Sequence, residues 1–196
     1  MKQQDLKLDI KFLVDRINNI AQMVIDMMLS NTAKGKSYIN DGIDFPAYSR
    51  KPFSQPYGSF LRDVQGWPGY KTYANEHTKS YSDKSGQEWI IHKDGYAVFK
   101  SNRWPDQNGV VNLEWRGRNR GGMLSSIAII NKATNSNVVA TIGFTNAENH
   151  QLALYHERMG ASKSRVIRPF FGITKQQRAI IMEELKNAVE LSKSTT

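Results

Sequence analysis

The sequence contains no cysteine among its 196 residues. A chain without thiols forms no disulfide bond, binds no metal through thiolate and has no cysteine nucleophile. Its stability must therefore come from a packed core, and a hydrophobic content of 39% is sufficient for one. The length favours a single domain over residues 1–196.

Long apolar runs are also missing. The first residues, MKQQDLKLDIKFLVDRI, are interrupted by charges and offer neither the apolar stretch of a signal peptide nor its cleavage site. No uncharged run approaches the roughly 18 to 20 apolar residues of a membrane-spanning helix. We therefore expect a protein that is made and used in the cytoplasm, without a membrane partner, or packaged into a particle assembled there.

Acidic residues are scarce relative to basic ones. The 18 Asp and Glu residues face 27 Lys and Arg residues, which gives a net charge of +9 and a pI of about 9.7. This balance favours an anionic partner such as nucleic acid or an acidic protein face, although a basic soluble surface alone produces the same numbers. One hypothesis is therefore a basic nucleic-acid-binding protein that contacts DNA through a patch formed by Arg116, Arg118 and Arg120.

Recognisable catalytic motifs are missing as well. The sequence has no Gly-x-Ser-x-Gly nucleophile elbow and no phosphate-binding Gly-x-x-x-x-Gly-Lys-Ser/Thr loop. His156 and Glu157 resemble half of a zinc-protease helix, but Gly160 occupies the position of the required second histidine. A metal-dependent hydrolase using His150, His156 and Glu157 is thus a third and weaker hypothesis. The sequence predicts no enzyme, no catalytic residue, no cofactor and no bound metal.

Amphipathic patterns mark both ends of the chain. Between residues 8 and 28, apolar side chains recur at alternating steps of three and four, which predicts a helix of several turns. Thr-Lys-Gln-Gln at 174–177 supplies a capping box at the start of a final helix. The predicted apolar face of that helix consists of Ile181, Leu185 and Ala188, widened by Met182 and Val189.

The middle of the chain is less regular. Runs 124–130 and 138–144 favour two paired strands joined by the polar segment NKATNSN. Residues 89–99 are compatible with either strand or helix. Residues 33–84 are rich in glycine, proline, serine and tyrosine without sustained periodicity, which indicates an inserted loop with short strands or an ordered arm that lies on a neighbour.

Four segments between residues 86 and 174, taken in order, resemble the bacteriophage virion morphogenesis family. These tail-completion proteins act where a phage tail is finished and joined to the head. GGMLSSI at 121–127 resembles a Thr-Gly-x-Leu-x-x-Ser element, with Gly121 in place of the usual threonine. The other three matches are GQEW at 86–89, ALYHERMG at 153–160 and RPFFGIT at 168–174, so that the resemblance covers about residues 86–190.

The resemblance implies a fold, an assembly and a location. The implied fold is α+β, a small antiparallel β-sheet flanked by a long N-terminal helix and a C-terminal helix, with 33–84 as a long inserted loop region. The implied assembly is a homo-oligomeric, hexameric ring that contacts other neck, connector or tail proteins. The expected location is the head-tail junction or the tail end of the virion, as a tail terminator or head-tail joining component, after assembly in the host cytoplasm.

The segment RPFFGIT is the candidate interface. Pro169 fixes its own φ and favours extended backbone at Arg168, and Gly172 is expected to let the chain bend into the last helix. One phenylalanine of the pair Phe170 and Phe171 is expected to fill the core. The other, together with Arg165 and Arg168, is expected to contact a neighbouring subunit or partner, since aromatic and arginine side chains dominate interface hot spots.

Overall fold

Helices make up most of the regular structure in the computed structural model, which describes residues 8–103, 113, 122–160 and 166–194. In chain order the α-helices are α1 (Ile10–Ala33), α2 (Tyr57–Asp63), α3 (Tyr70–His77), α4 (Gly95–Arg103), α5 (Ala147–Leu154) and α6 (Lys175–Ser194). The strands are β1 (Phe53–Pro56), β2 (Thr78–Ser82), β3 (Glu88–His92), β4 (Ile127–Asn131) and β5 (Thr141–Phe144). The predicted α+β class and both long terminal helices are confirmed. Within the described ranges, no helix combines the length and apolar character needed to cross a bilayer.

The chain divides into two compact units instead of the predicted single domain. Met1–Pro46 and Asn112–Thr196 form the first unit, and Ala47–Val111 form the second. The sequence analysis placed an insertion at 33–84, either a loop with short strands or an ordered arm, and strands β1 and β2 lie within those bounds. Residues 33–46 belong to the first unit, and the inserted segment is a folded unit with its own helices and sheet.

In the first unit, α1 and α6 lie antiparallel. The N–H of Asp9 donates to the carbonyl of Ser192 at 3.0 Å at one end of the pair. At the other end, the side-chain amides of Asn31 and Gln177 donate to each other at 2.8 and 3.1 Å. Between these two points the seam buries apolar side chains of α1 and α6, among them Val14, Ala21, Ile25, Met28, Ile181 and Ala188.

The predicted strand pair of the first unit is confirmed. Strands β4 and β5 pair antiparallel, with Ile127 opposite Phe144 and Ile129 opposite Ile142. The connection between them is tied to α1, because the Asn18 side chain donates to the carbonyl of Ala133 at 3.2 Å and accepts from its N–H at 2.9 Å.

The second unit is built on a three-stranded antiparallel sheet in the order β1-β3-β2. The ambiguous segment 89–99 contains both predicted possibilities, since it begins in β3 and ends in α4. The core of the unit is aromatic and consists of Phe60, Val64, Trp67, Tyr73, Ile90 and Phe99. Each short element contributes only one or two side chains to this core, which explains why no helical or strand period was visible in the sequence.

His92 lies at the centre of this aromatic core and is fully buried. Its ring stacks on Phe53 at 4.2 Å between centroids, and its Nδ1 shares a 2.7 Å hydrogen bond with the Tyr73 hydroxyl. Burial lowers the pKa of His92 from 6.5 to about 4, because a charged imidazolium would lose its hydration among these rings. The histidine is therefore a neutral core residue at physiological pH.

This burial predicts an acid-sensitive second unit. The unfolded chain binds a proton at His92 below about pH 6.5, whereas the folded unit does so only below about pH 4. Stability from this group is therefore present above pH 6.5 and is lost as the pH falls toward 4, by roughly 3 kcal/mol in total. The stability of the second unit as a function of pH can be measured by native-state hydrogen exchange of the β3 amides, corrected for intrinsic exchange rates. His92→Phe should flatten the pH dependence, and the surface control His150→Phe should leave it; an unchanged slope in His92→Phe contradicts this assignment.

Candidate interaction site at the loop before the last helix

The loop 168–174 is held by one carboxylate. Glu157 lies on the π-helical turn Tyr155–Met159, which directly follows α5. Its Oε1 accepts hydrogen bonds from the backbone N–H groups of Phe170 at 2.5 Å and Phe171 at 2.6 Å. Its Oε2 accepts from the Tyr38 hydroxyl at 3.4 Å. Because hydrogen bonds to an ionised acceptor are the stronger kind, this side chain fixes the path of the loop.

Tyr38 reaches the loop from a hairpin formed by residues 35–46. The hairpin is closed by backbone hydrogen bonds from Ser37 N to Ile43 O at 2.8 Å and from Phe45 N to Gly35 O at 2.7 Å. Burial, and then the negative charge of Glu157, raise the pKa of the Tyr38 hydroxyl. The phenol therefore stays protonated and serves as a donor to the carboxylate. We call the hairpin 35–46, Glu157 and the loop 168–174 together the C-terminal joint.

Arg168 connects the loop to the end of that hairpin. Its Nε donates to the carbonyl of Pro46 at 3.0 Å, and its backbone N–H donates to the carbonyl of His156 at 2.8 Å. Only 4% of the residue is exposed. The arginine was predicted to face a neighbouring subunit, but its burial in this structure leaves almost none of its surface for such a contact.

The two phenylalanines take different environments, as expected. Phe170 is 1% exposed and packs edge-on against Phe144, with 6.5 Å between centroids. Phe171 is half-buried, with its ring 4.9 Å from that of Phe144. Phe170 is therefore the core residue and leaves no surface for a partner. Among the four predicted interface residues, contact with another subunit stays a prediction for Phe171, and Arg165 lies outside the described residues.

Gly172 is required for a reason other than the one its sequence context indicated. Its φ is not in the left-handed region, so backbone freedom is not what the bend uses. Instead, a Cβ at this position would lie 2.9 Å from three ring atoms of Tyr38. The glycine thus provides the space in which the Tyr38 ring covers the loop.

The loop ends in the predicted capping box. Thr174 N donates to Gln177 Oε1 at 2.9 Å, and Gln177 N donates to Thr174 Oγ1 at 3.2 Å, which satisfies two N–H groups at the start of α6. The same Gln177 amide is paired with Asn31 of α1. One side chain therefore starts the helix and sets its position along α1.

The remaining candidate residues do not form a second site in the described structure. Arg116, Arg118 and Arg120 lie outside the described residues. His150 stacks on Phe144 at 5.8 Å, and both carboxylate oxygens of Glu157 accept hydrogen bonds from the joint. Among the described residues, no group of three His, Cys, Asp or Glu side chains is placed to hold a metal ion. The hydrolase hypothesis thus gains no support from the geometry of its proposed ligands.

Sequence reasoning missed the roles of Tyr38 and Glu157. Glu157 was considered only as a fragment of a metal-binding motif, and Tyr38 was assigned to the inserted loop. One signal was available, because no acidic residue occurs between Glu157 and Glu183. The backbone N–H groups of the loop need acceptors, and a single acidic residue shortly before the loop is a candidate for that role. The partner Tyr38 had no such signal, since it lies 119 residues away along the chain.

Three of the four segments that carry the family resemblance lie in the first unit. The Asn149 side chain of α5 donates to the carbonyl of Gly122 at 3.4 Å, and segments 153–160 and 168–174 meet at Glu157. The fourth segment, 86–89, lies in the second unit. Comparison with protein-family models, curated proteins and solved structures finds no match to this chain.

The steric role of Gly172 generates a prediction. Gly172→Ala should destabilise the chain by about 1 to 3 kcal/mol, because the new methyl group overpacks against the Tyr38 ring. In a Tyr38→Ala background the same change should cost almost nothing, since the opposing ring is gone. Urea unfolding of the four proteins in this double-mutant cycle measures the coupling. If Gly172→Ala lowered stability equally in both backgrounds, its effect would come from the backbone, and the steric contact with the Tyr38 ring would be contradicted.

The anchor role of Glu157 generates a second prediction. Glu157→Ala should cost about 2 to 4 kcal/mol, because it leaves the amides of Phe170 and Phe171 without their acceptor. Glu157→Gln should cost less, since it keeps a neutral acceptor oxygen. The matched control is Glu183→Gln on the exposed side of α6, which should change stability by less than about 0.5 kcal/mol. Urea unfolding followed by circular dichroism gives the ranking, and equal values for all three variants would contradict the anchor.

Proposed function

We propose that this chain is a structural assembly protein of a phage virion, which acts in tail completion or head-tail joining at the neck as a homo-oligomeric ring. The resemblance supports the phage setting, and the meeting of two of its segments, 153–160 and 168–174, at Glu157 supports treating those two as one structural element. The observation that carries the ring itself is the distribution of apolar side chains on α6.

Helix α6 is apolar on three sides. Its buried seam contains Ile181, and successive residues of a helix are rotated by about 100°. One flank of the seam therefore contains Ile180 and Leu191, which are 51% and 47% exposed. The other flank contains Met182 and Val189, which are 48% and 37% exposed. Such side chains on both flanks are unusual for a helix that only packs against its own domain.

Two apolar flanks suit a subunit with two neighbours. In a ring each subunit uses two different surfaces, one toward each neighbour. Such head-to-tail contacts produce a closed ring when the rotation between successive subunits divides evenly into a full turn. The start of α6 is fixed by Glu157 and Tyr38 of the joint and by the capping side chain of Gln177. The role proposed for the loop is therefore to position the interface helix, and the contact itself is assigned to α6.

The two-flank arrangement predicts a specific pattern of assembly. Ile180→Glu with Leu191→Glu should abolish ring formation, and so should Met182→Glu with Val189→Glu, because each pair buries unpaired charge at one of the two contacts. Mixing the two variants should restore dimers but no rings, since one intact flank of each remains. Native mass spectrometry and analytical ultracentrifugation measure this.

The control for these variants is Ala179→Glu, which adds the same charge on the solvent side of α6. It should assemble like the unmodified chain. A single monomeric species at all concentrations of the unmodified chain would contradict self-assembly. Dimers that persist in only one of the two double variants would indicate a symmetric dimer in place of a ring.

The phage role is tested by genetic complementation in a phage that carries this gene. Deletion should leave unfinished or unjoined tails, visible by negative-stain imaging, and the unmodified gene or the Ala179→Glu gene should restore complete particles. The flank variants should not restore them, although circular dichroism should show them folded. A normal particle yield after deletion would refute the virion role whatever the oligomeric state of the purified protein.

A further inference from the structure

The sheet of the second unit has one buried face and one open face. Side chains alternate between the two faces along each strand. Ile90 and His92 point into the aromatic core formed with Phe60, Tyr73 and Phe99 of the helices. Trp89 and Ile91, together with Pro56, Lys79 and Tyr81 in register beside them, therefore occupy the opposite face.

An aromatic pair dominates this open face. Tyr81 and Trp89 lie directly opposite each other on β2 and β3, with ring centroids 6.4 Å apart and planes inclined by 17°. Tyr81 is 41% exposed, and Trp89 and Ile91 are half-buried. Two nearly parallel aromatic rings, one of them 41% exposed, thus lie side by side on the open face at the turn end of β2 and β3.

The surface is rigid because the turn between β2 and β3 is fixed by Asp83. The Oδ2 atom of Asp83 accepts a 2.8 Å hydrogen bond from Nε1 of Trp89, which sets the orientation of the indole. Its Oδ1 atom accepts from Ser85 N at 2.9 Å and from Gln87 N at 3.1 Å. Hydrogen bonds from Ser85, Trp89 and Gln87 lower the pKa of Asp83 to about 2. A ligand would therefore meet a preorganised ring pair.

The dimensions of the face decide what kind of ligand fits. Three strands about 4.8 Å apart and five residues long span about 14 Å by 17 Å. That footprint is on the order of 240 Å², well below the roughly 800 Å² that each partner contributes to a stable protein interface. A second copy of the chain docked on this face alone would be too weakly held, whereas a few units of an extended polymer fit.

We propose that this open face binds single-stranded nucleic acid, with bases stacked on Tyr81 and Trp89 and a phosphate near Lys79. Stacking on aromatic side chains beside basic residues is the usual chemistry of such binding. Lys79 lies on the same face, Lys84 lies in the adjoining turn, and the chain carries a net charge of +9. This site lies in the second unit and is independent of the assembly proposal.

The test is a fluorescence-anisotropy titration of labelled oligothymidylate and oligouridylate with the full chain, from low to physiological salt. Tyr81→Ala should weaken binding roughly 5- to 50-fold, and Tyr81→Phe, which keeps the ring, should stay within about 2-fold. Lys79→Gln should weaken binding and reduce the salt slope by about 0.7. The two oligonucleotides distinguish DNA from RNA as the preferred strand.

The matched control is Lys71→Gln, which removes the same charge from the exposed side of α3. It should change the affinity much less than Lys79→Gln. If Lys71→Gln and Lys79→Gln weakened binding equally and Tyr81→Ala had no effect, binding would depend only on the net charge of the protein. That result would overturn the proposal. Undetectable binding at low salt, equal affinity for duplex DNA, or full competition by an acidic peptide of matched charge would also overturn it.

Discussion

The first unit depends on a single carboxylate that satisfies two backbone amides. Phe170 and Phe171 lie 13 and 14 residues after Glu157, and their N–H groups would be costly to bury without an acceptor. With that acceptor in place, Phe170 enters the core, and Tyr38 closes over Gly172. The direction in which the chain enters α6 follows from these contacts. The Glu157 carboxylate therefore determines where the surface of α6 lies, although it makes no contact with that surface.

Gln177 sets the position of α6 along the axis of α1. Capping alone would allow α6 to start correctly and still slide past α1. Because the amide that closes the capping box also pairs with Asn31, the start of the helix and its register are specified together. The buried Arg168 has a comparable role at the edge of the joint, where it holds the Pro46 carbonyl at the point where the chain leaves the first unit.

The parts of the fold that could be predicted are those specified over a few neighbouring residues. The long helices have a 3.6-residue period, and Thr174 and Gln177 form a motif of four residues. The second unit could not be predicted, because its strands have four or five residues and its core is assembled from one or two aromatics per element. The loop 168–174 was recognised, but its two anchors were missed for a related reason: Tyr38 and Glu157 are adjacent only after the chain has folded.

Each of the two units has its own set of stabilising contacts. The second unit has a complete aromatic core around His92, so its open sheet face, with Tyr81 and Trp89, is not needed to bury that core. The first unit closes its own loop through Glu157, which accepts hydrogen bonds from Phe170, Phe171 and Tyr38 of the same unit. The contacts that hold the start of α6 and the contacts that form the core around His92 are thus made by different residues.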